Sequence, residues 1–190
     1  MANQKLTALT ENESPALVDL LYSVDDPSGS PLSRKVTLQN VMNLFQSQMS
    51  HVFARTDAGQ DIVSNTTTTI VYGTEIRDTL GEFNTSTGVF TATYAGYYLV
   101  NAGITYESTE AWSALNQIYG YVYVEESPQC QNYWRVYVST DQRITTPPLC
   151  VVVYAGAGED ITIRTRHDNV ANRALENIDF MNYLTIDRIM

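Results

Sequence analysis

The stretch Leu80-Gly81-Glu82-Phe83-Asn84-Thr85-Ser86-Thr87-Gly88-Val89-Phe90-Thr91-Ala92-Thr93-Tyr94-Ala95-Gly96-Tyr97-Tyr98-Leu99 runs from a turn into a strand. Asn84 to Gly88 collects turn formers: asparagine bonds its own backbone, and glycine accepts positive φ without a steric penalty. Phe90 enters a short strand with a ring large enough to plug a core. Gly96 permits a tight bend before Tyr97 and Tyr98 begin a longer strand that reads on to Tyr106. There Tyr98, Val100, Ala102, Ile104 and Tyr106 share one face, and Tyr97, Leu99, Asn101, Gly103 and Thr105 share the other. The first face is core.

Outward from that stretch the same texture continues. From Phe53 to the end, threonine, tyrosine and valine dominate, and no segment holds a helical period. Ile62–Tyr72 reads as a threonine-rich strand pair of the edge type. Phe90–Thr93, Gln117–Val124, Tyr133–Ser139, Leu149–Tyr154, Asp160–Arg166 and Asn182–Ile189 read as further strands. Eight or so strands in about 140 residues fit an all-β sandwich or jelly roll.

Two features of these strands point to partners. In Gln117–Val124 one row is Ile118, Gly120, Val122 and Val124, and the other is Tyr119, Tyr121 and Tyr123. The next strand sets Trp134, Val136 and Val138 against Tyr133, Arg135 and Tyr137. Thirteen tyrosines is a high count, and a tyrosine row suits a subunit interface, a sugar-binding face or a solvated strand face. The second feature is Leu149–Tyr154, apolar on both faces, whose outward residues Cys150, Val152 and Tyr154 need cover from outside a thin sandwich. Tyr119, Tyr121, Tyr123, Tyr133, Tyr137, Cys150, Val152 and Tyr154 are therefore the expected interface residues of a homo-oligomer with closed symmetry.

Residues 1–50 differ from residues 51–190. An apolar run from Ala16 to Val24 ends in the turn cluster Asp25-Asp26-Pro27-Ser28-Gly29-Ser30-Pro31. Arg34-Lys35-Val36 reads as a return strand. Thr37 is placed to cap a helix with Leu38, Val41, Met42, Leu44, Phe45 and Met49 at helical spacing. Such a segment is too small to make a core alone, so packing against copies of itself or another protein is expected.

Composition excludes several classes of function. The 190 residues carry 11 basic and 21 acidic side chains, a net charge of −10, which opposes non-specific attraction to nucleic acid or anionic lipid. Neither a secretory leader nor a stretch long and apolar enough to span a bilayer is read. Two cysteines and two histidines do not reach the spacing of a zinc site. Cys130 and Cys150 could pair if their strands lay side by side, and otherwise read as small buried side chains. Asp168, Glu176 and Asp179 could contribute oxygens to calcium, against the plainer reading of a solvated acidic loop. His167 falls in the loop after a strand with Asp168 beside it, and since adjacent residues on a strand point oppositely the two are poorly placed to form an orienting pair. No enzyme activity and no cofactor are expected.

Leu80–Leu99 closely resembles the signature of the C1q/tumour-necrosis-factor-like jelly roll: an aromatic, an Asp or Asn, Thr-Gly, then Phe-x-Ala-Pro-x-x-Gly-x-Tyr. It departs at Thr93, where that family commonly has proline. Tyr154–Ile163 looks like the family's late hairpin, and Asn182–Ile189 like its closing strand. The resemblance implies a trimer. Leu6–Leu9, Asp19–Gly29 and Ser33–Val41 resemble a small N-terminal module of tailed-bacteriophage fibre and appendage proteins. That likeness implies attachment or trimerisation through Leu20, Tyr22, Val24, Val36 and Leu38.

Taken together, the likenesses imply a virion surface protein: a homotrimeric head or tail fibre or capsid decoration. It would contact other virion proteins through residues 1–50 and display a jelly roll over residues 51–190. The alternative is a receptor-binding module for host glycans or surface proteins.

Overall fold

The computed structural model describes residues 20–25, 32–56, 58–107, 112–137, 143–178 and 180–189. The chain divides into two compact units, Met1–Gln48 and Met49–Met190.

In the first unit, β1 (Leu20–Asp25) and β2 (Leu32–Thr37) pair antiparallel, from Leu20 opposite Thr37 to Asp25 opposite Leu32. The expected turn cluster falls at residues 26–31, outside the described residues. Helix α1 (Leu38–Gln46) follows β2 directly, because Thr37 keeps extended dihedrals while its Oγ1 accepts a bond from the Asn40 N–H at 3.1 Å. Such a cap contributes about 1 kcal/mol. At the other end the Ser47 N–H donates to the Asn43 carbonyl at 2.9 Å. The helix buries none of its residues, and Met42, Leu44 and Phe45 are exposed.

The second unit opens with β3 (His51–Arg55), β4 (Asp61–Ile62), β5 (Thr68–Thr69), β6 (Thr74–Asp78), β7 (Phe83–Asn84) and β8 (Val89–Thr91). It continues through β9 (Gly96–Gly103), β10 (Thr105–Tyr106), β11 (Gln117–Val124), β12 (Ser127–Arg135) and β13 (Ile144–Thr145). β14 (Leu149–Ala155), β15 (Asp160–His167), β16 (Arg173–Ala174) and β17 (Tyr183–Arg188) complete it. One sheet has the order β14-β9-β17-β3-β6, the other β12-β11-β15-β8-β7 with β5 added on β15. The pairings are antiparallel throughout both sheets.

A single buried cluster draws on both sheets: Val52, Tyr98, Val100, Leu184 and Ile186 from the first, Phe90, Ile118, Val122, Ile161 and Ile163 from the second. The sheets therefore pack face to face as a sandwich, each leaving one face outward. All five residues assigned to the core face from Tyr98 to Tyr106 are fully buried. Phe90 meets Tyr98 edge to face across the layers, ring centroids 5.4 Å apart. The turn before it needs glycine: Gly88 has φ +71°, and a Cβ there would sit 2.0 Å from the Ile70 carbonyl oxygen.

Thr93, the departure from the family signature, is explained by a bond. Its N–H donates to Oε1 of buried Glu82 at 2.8 Å, while Ser50 Oγ donates to the other carboxylate oxygen. Proline has no N–H to give, so at this position it would leave a buried carboxylate oxygen short of a donor.

Some strands escape sequence reading. Thr74–Asp78 has no buried residue and so no alternation. β12 begins at Ser127, six residues before the expected start, because its first half is a polar edge that only hydrogen bonding to β11 makes a strand. Pro128 is tolerated there by a register shift between Val122 and Tyr123. Trp134, in the row set against the tyrosines, lies opposite Ile118 but stays 39% exposed at the sheet edge. Val136 is buried, and Val138 lies outside the described residues. The strand pair expected in Ile62–Tyr72 does not form: the two-residue strands β4 and β5 pair instead with β16 and β15, in different sheets.

Candidate interaction surfaces

β14 is an edge strand whose side chains alternate sharply. Leu149, Val153 and Ala155 enter the core, whereas Cys150, Val152 and Tyr154 face out. Val152 is 49% and Tyr154 56% exposed, and Tyr97, opposite Tyr154 on β9, is 53% exposed. The Tyr97 and Tyr154 rings touch edge to face at 5.5 Å. Next inward, Leu99 lies opposite Val152, and Asn101 Nδ2 donates to Thr185 Oγ1 at 3.3 Å. This face ends in polar pairs such as His51 Nδ1 with Asp187. An apolar row beside an open strand edge is a surface that proteins cover.

The outward face of the other sheet is built differently. Tyr119, Tyr121 and Tyr123 project from β11, and Tyr133, opposite Tyr119, projects from β12. Tyr119 stacks on Tyr121 at 6.2 Å and contacts Tyr133 at 5.4 Å, and Tyr121 meets Tyr123 at 5.9 Å. Pairing with β15 sets Arg166 opposite Tyr119 and Arg164 opposite Tyr121. Guanidinium groups thus lie over rings: Arg164 over Tyr123 at 4.2 Å, Arg166 over Tyr119 at 5.8 Å, and Arg135 over Tyr133 at 5.8 Å. Such contacts contribute about 0.5–1 kcal/mol each at partly exposed sites. Burial raises the Tyr121 hydroxyl above its ordinary pKa, with Arg166 pulling the other way. Arg164 also forks onto Glu126, with bonds of 2.9 and 3.1 Å that hold the Glu126 carboxyl below the usual range. Tyr119, Tyr121 and Tyr123 are half-buried by one another and by the arginines, in contrast to the bare row on β14.

The expected interface residues thus separate onto opposite exteriors of the sandwich. Cys150, Val152 and Tyr154 come together on one, and Tyr119, Tyr121, Tyr123 and Tyr133 on the other. Tyr137, 73% exposed, follows the end of β12. Cys130 and Cys150 are free thiols on strands of different sheets. In the first unit, Leu20, Tyr22 and Val24 lie on β1 opposite Thr37, Lys35 and Ser33, while Val36 and Leu38 are half-buried. The sequence did not reveal the arginines of β15 as part of the tyrosine face, although their spacing at 164 and 166 marks them as co-facial.

The residues considered for chemistry serve the fold. Asp168 Oδ1 accepts bonds from the Gln117 N–H at 2.6 Å and from Asn116 Nδ2 at 3.2 Å. Glu176 is buried and paired with Arg143, and Asp179 lies outside the described residues. Among the described residues no cluster of histidine, cysteine and acid could hold a metal ion. A shallow cavity of about 560 Å³ between Gly81–Thr85 and Thr91–Thr93 contains Glu82, whose two oxygens are already taken by Thr93 and Ser50.

His167 is fully buried with its Nε2 donating to the Ile62 carbonyl at 2.9 Å. Tyr106 and Trp112 stand nearly perpendicular to it, each ring centroid 5.7 Å away. Burial lowers its pKa below the ordinary value of 6.5, and nearby Arg173 adds to the effect, against the opposing pull of the Ile62 bond and Asp168. A folded-state pKa below the unfolded one means that the unfolded chain binds the proton more readily. The stability His167 contributes is therefore present above pH 6.5 and is lost as pH falls below it. Urea midpoints measured between pH 7.5 and 5.5 are expected to fall with pH, and His167→Gln should flatten that slope.

No protein-family model and no curated protein sequence matches this chain. Solved structures do. Eiger TNF from S. frugiperda superposes with a TM-score of 0.55 at 12% identity, covering 75% of this chain and 92% of that one. Murine APRIL gives 0.55 at 10% identity, over 74% and 99%. The globular domain of zebrafish complement 1qA protein gives 0.52 at 12%, over 75% and 98%. The sandwich therefore has the C1q/TNF-like jelly-roll fold, as the signature at Leu80–Leu99 implied.

Proposed function

We propose that this chain is a homotrimeric bacteriophage virion protein, a head or tail fibre or a capsid decoration. In this reading the jelly roll is displayed on the particle and residues 1–50 dock on other virion proteins. The observation that carries the trimer is the bare row of Val152, Tyr154 and Tyr97 beside an open edge. The β14 face, rather than the tyrosine–arginine face, is the subunit interface in this reading, because the latter already covers itself. Docking through the first unit is supported by its likeness to phage appendage modules and by the exposed Met42, Leu44 and Phe45 of α1. The role is one of scaffolding and binding, with no catalytic step.

Light scattering of the full chain should return three times the 21.3 kDa chain mass at micromolar concentration. A mass of one chain would overturn the trimer. Antibody labelling of purified phage particles should decorate their surface, and unlabelled particles that demonstrably express the protein would overturn the virion role.

A further inference from the structure

We propose that the outward face formed by Tyr119, Tyr121 and Tyr133 with Arg135 and Arg166 binds carboxylate-bearing saccharides of acidic glycans. The charge is the first ground. In a chain of net charge −10, two guanidinium groups stand here without a carboxylate partner among the described residues. Arg166 donates from Nη2 to the neutral Asn65 Oδ1 at 3.1 Å, and the Nε atoms of Arg135 and Arg166 are both buried without an acceptor. Arg164, by contrast, is already satisfied by Glu126. An arginine free of an acid is a site for a planar carboxylate, which it grips with paired N–H donors.

The rings are the second ground. Tyr133, 42% exposed at the sheet edge, offers ring surface on which pyranose carbons can pack. Tyr119 and Tyr121 lie nearly parallel, with 14° between their planes, and the tyrosine hydroxyls can bond to sugar hydroxyls. The exposed Tyr133 ring at the end of a tyrosine row, flanked by unneutralised guanidinium groups, matches a sugar ring that carries an acid. It matches a neutral sugar poorly, because binding would bury the arginine charge uncompensated. A strongly charged polyphosphate would meet the repulsion of the acidic chain as a whole.

This inference does not rest on the trimer, because the face lies on the opposite exterior from β14 and remains accessible when β14 is covered. The full chain would be titrated by NMR with 3′-sialyllactose and with trigalacturonic acid, using lactose and an oligothymidylate as comparators. Saturable binding of an acidic sugar at roughly millimolar affinity is expected, with lactose and oligothymidylate inert. Arg166→Gln and, at the tolerant sheet edge, Arg135→Gln and Tyr133→Ala should each weaken it about tenfold, with circular dichroism unchanged. Equal binding of lactose, binding of the oligothymidylate in place of the sugars, no binding of either acidic sugar, or folded variants that bind as the parent does would each overturn the proposal.

Discussion

Phe90→Ala is expected to lower the unfolding free energy by about 3–5 kcal/mol, the usual cost of truncating a fully buried phenylalanine. Phe90 is 0% exposed and pairs in register with Phe83 on one side and Ile161 on the other. Its ring reaches across to Tyr98, so one side chain ties both layers of the sandwich together. The strand that carries it is only three residues long, leaving few neighbours to close the resulting cavity. Urea denaturation at one fixed protein concentration would measure the loss, the concentration being held because assembly shifts apparent stability. Tyr137→Ala, 73% exposed, serves as the control and should stay within about 0.5 kcal/mol. A loss below about 1 kcal/mol at Phe90 would mean that the two layers are not held by this contact.

Val152→Glu should convert a three-chain particle into single folded chains. Val152 faces outward at 49% exposure, so the substitution leaves the core untouched and the circular dichroism unchanged. In the proposed trimer it would bury an unpaired carboxylate at each of three equivalent positions. Each would cost on the order of several kcal/mol, more than a micromolar assembly can absorb. Mass by light scattering reads the outcome directly. A second readout is Cys150, the exposed free thiol in the same row. It should react slowly with a thiol reagent in the assembled parent and quickly in the variant. A Val152→Glu protein that keeps three chains would remove the β14 row from the interface and leave the trimer without its physical ground.

Much of the fold could be read locally. Alternation in Tyr97–Ala102 and Gln117–Val124 separated buried from outward faces, because a strand flips its side chains residue by residue and a half-buried sheet must respect that. It failed at Gly103 and Thr105, buried although expected on the outward row, because the strand breaks at Ile104 and β10 pairs with β13 instead. The strands β6 and the first half of β12 could not be read this way, since edge positions bury little and leave no periodic trace. The family likeness at Leu80–Leu99 foresaw the jelly roll, yet gave no reason for Thr93. Its reason is a hydrogen bond to Glu82, eleven residues earlier in the chain.

The candidate surfaces divide along the same line. That Cys150, Val152 and Tyr154 face outward could be read within a single strand, because alternate side chains of a strand point to opposite faces. That the tyrosines of β11 face away from that strand, and that Arg164 and Arg166 lie over them, could not be foreseen. Those facts depend on which strands pair and in what register, joining residues some forty-five positions apart. Local chemistry settles which side chains a strand hides and where the chain turns. The long-range pairing of strands settles which outward rows become neighbours, and with them which charges meet which rings.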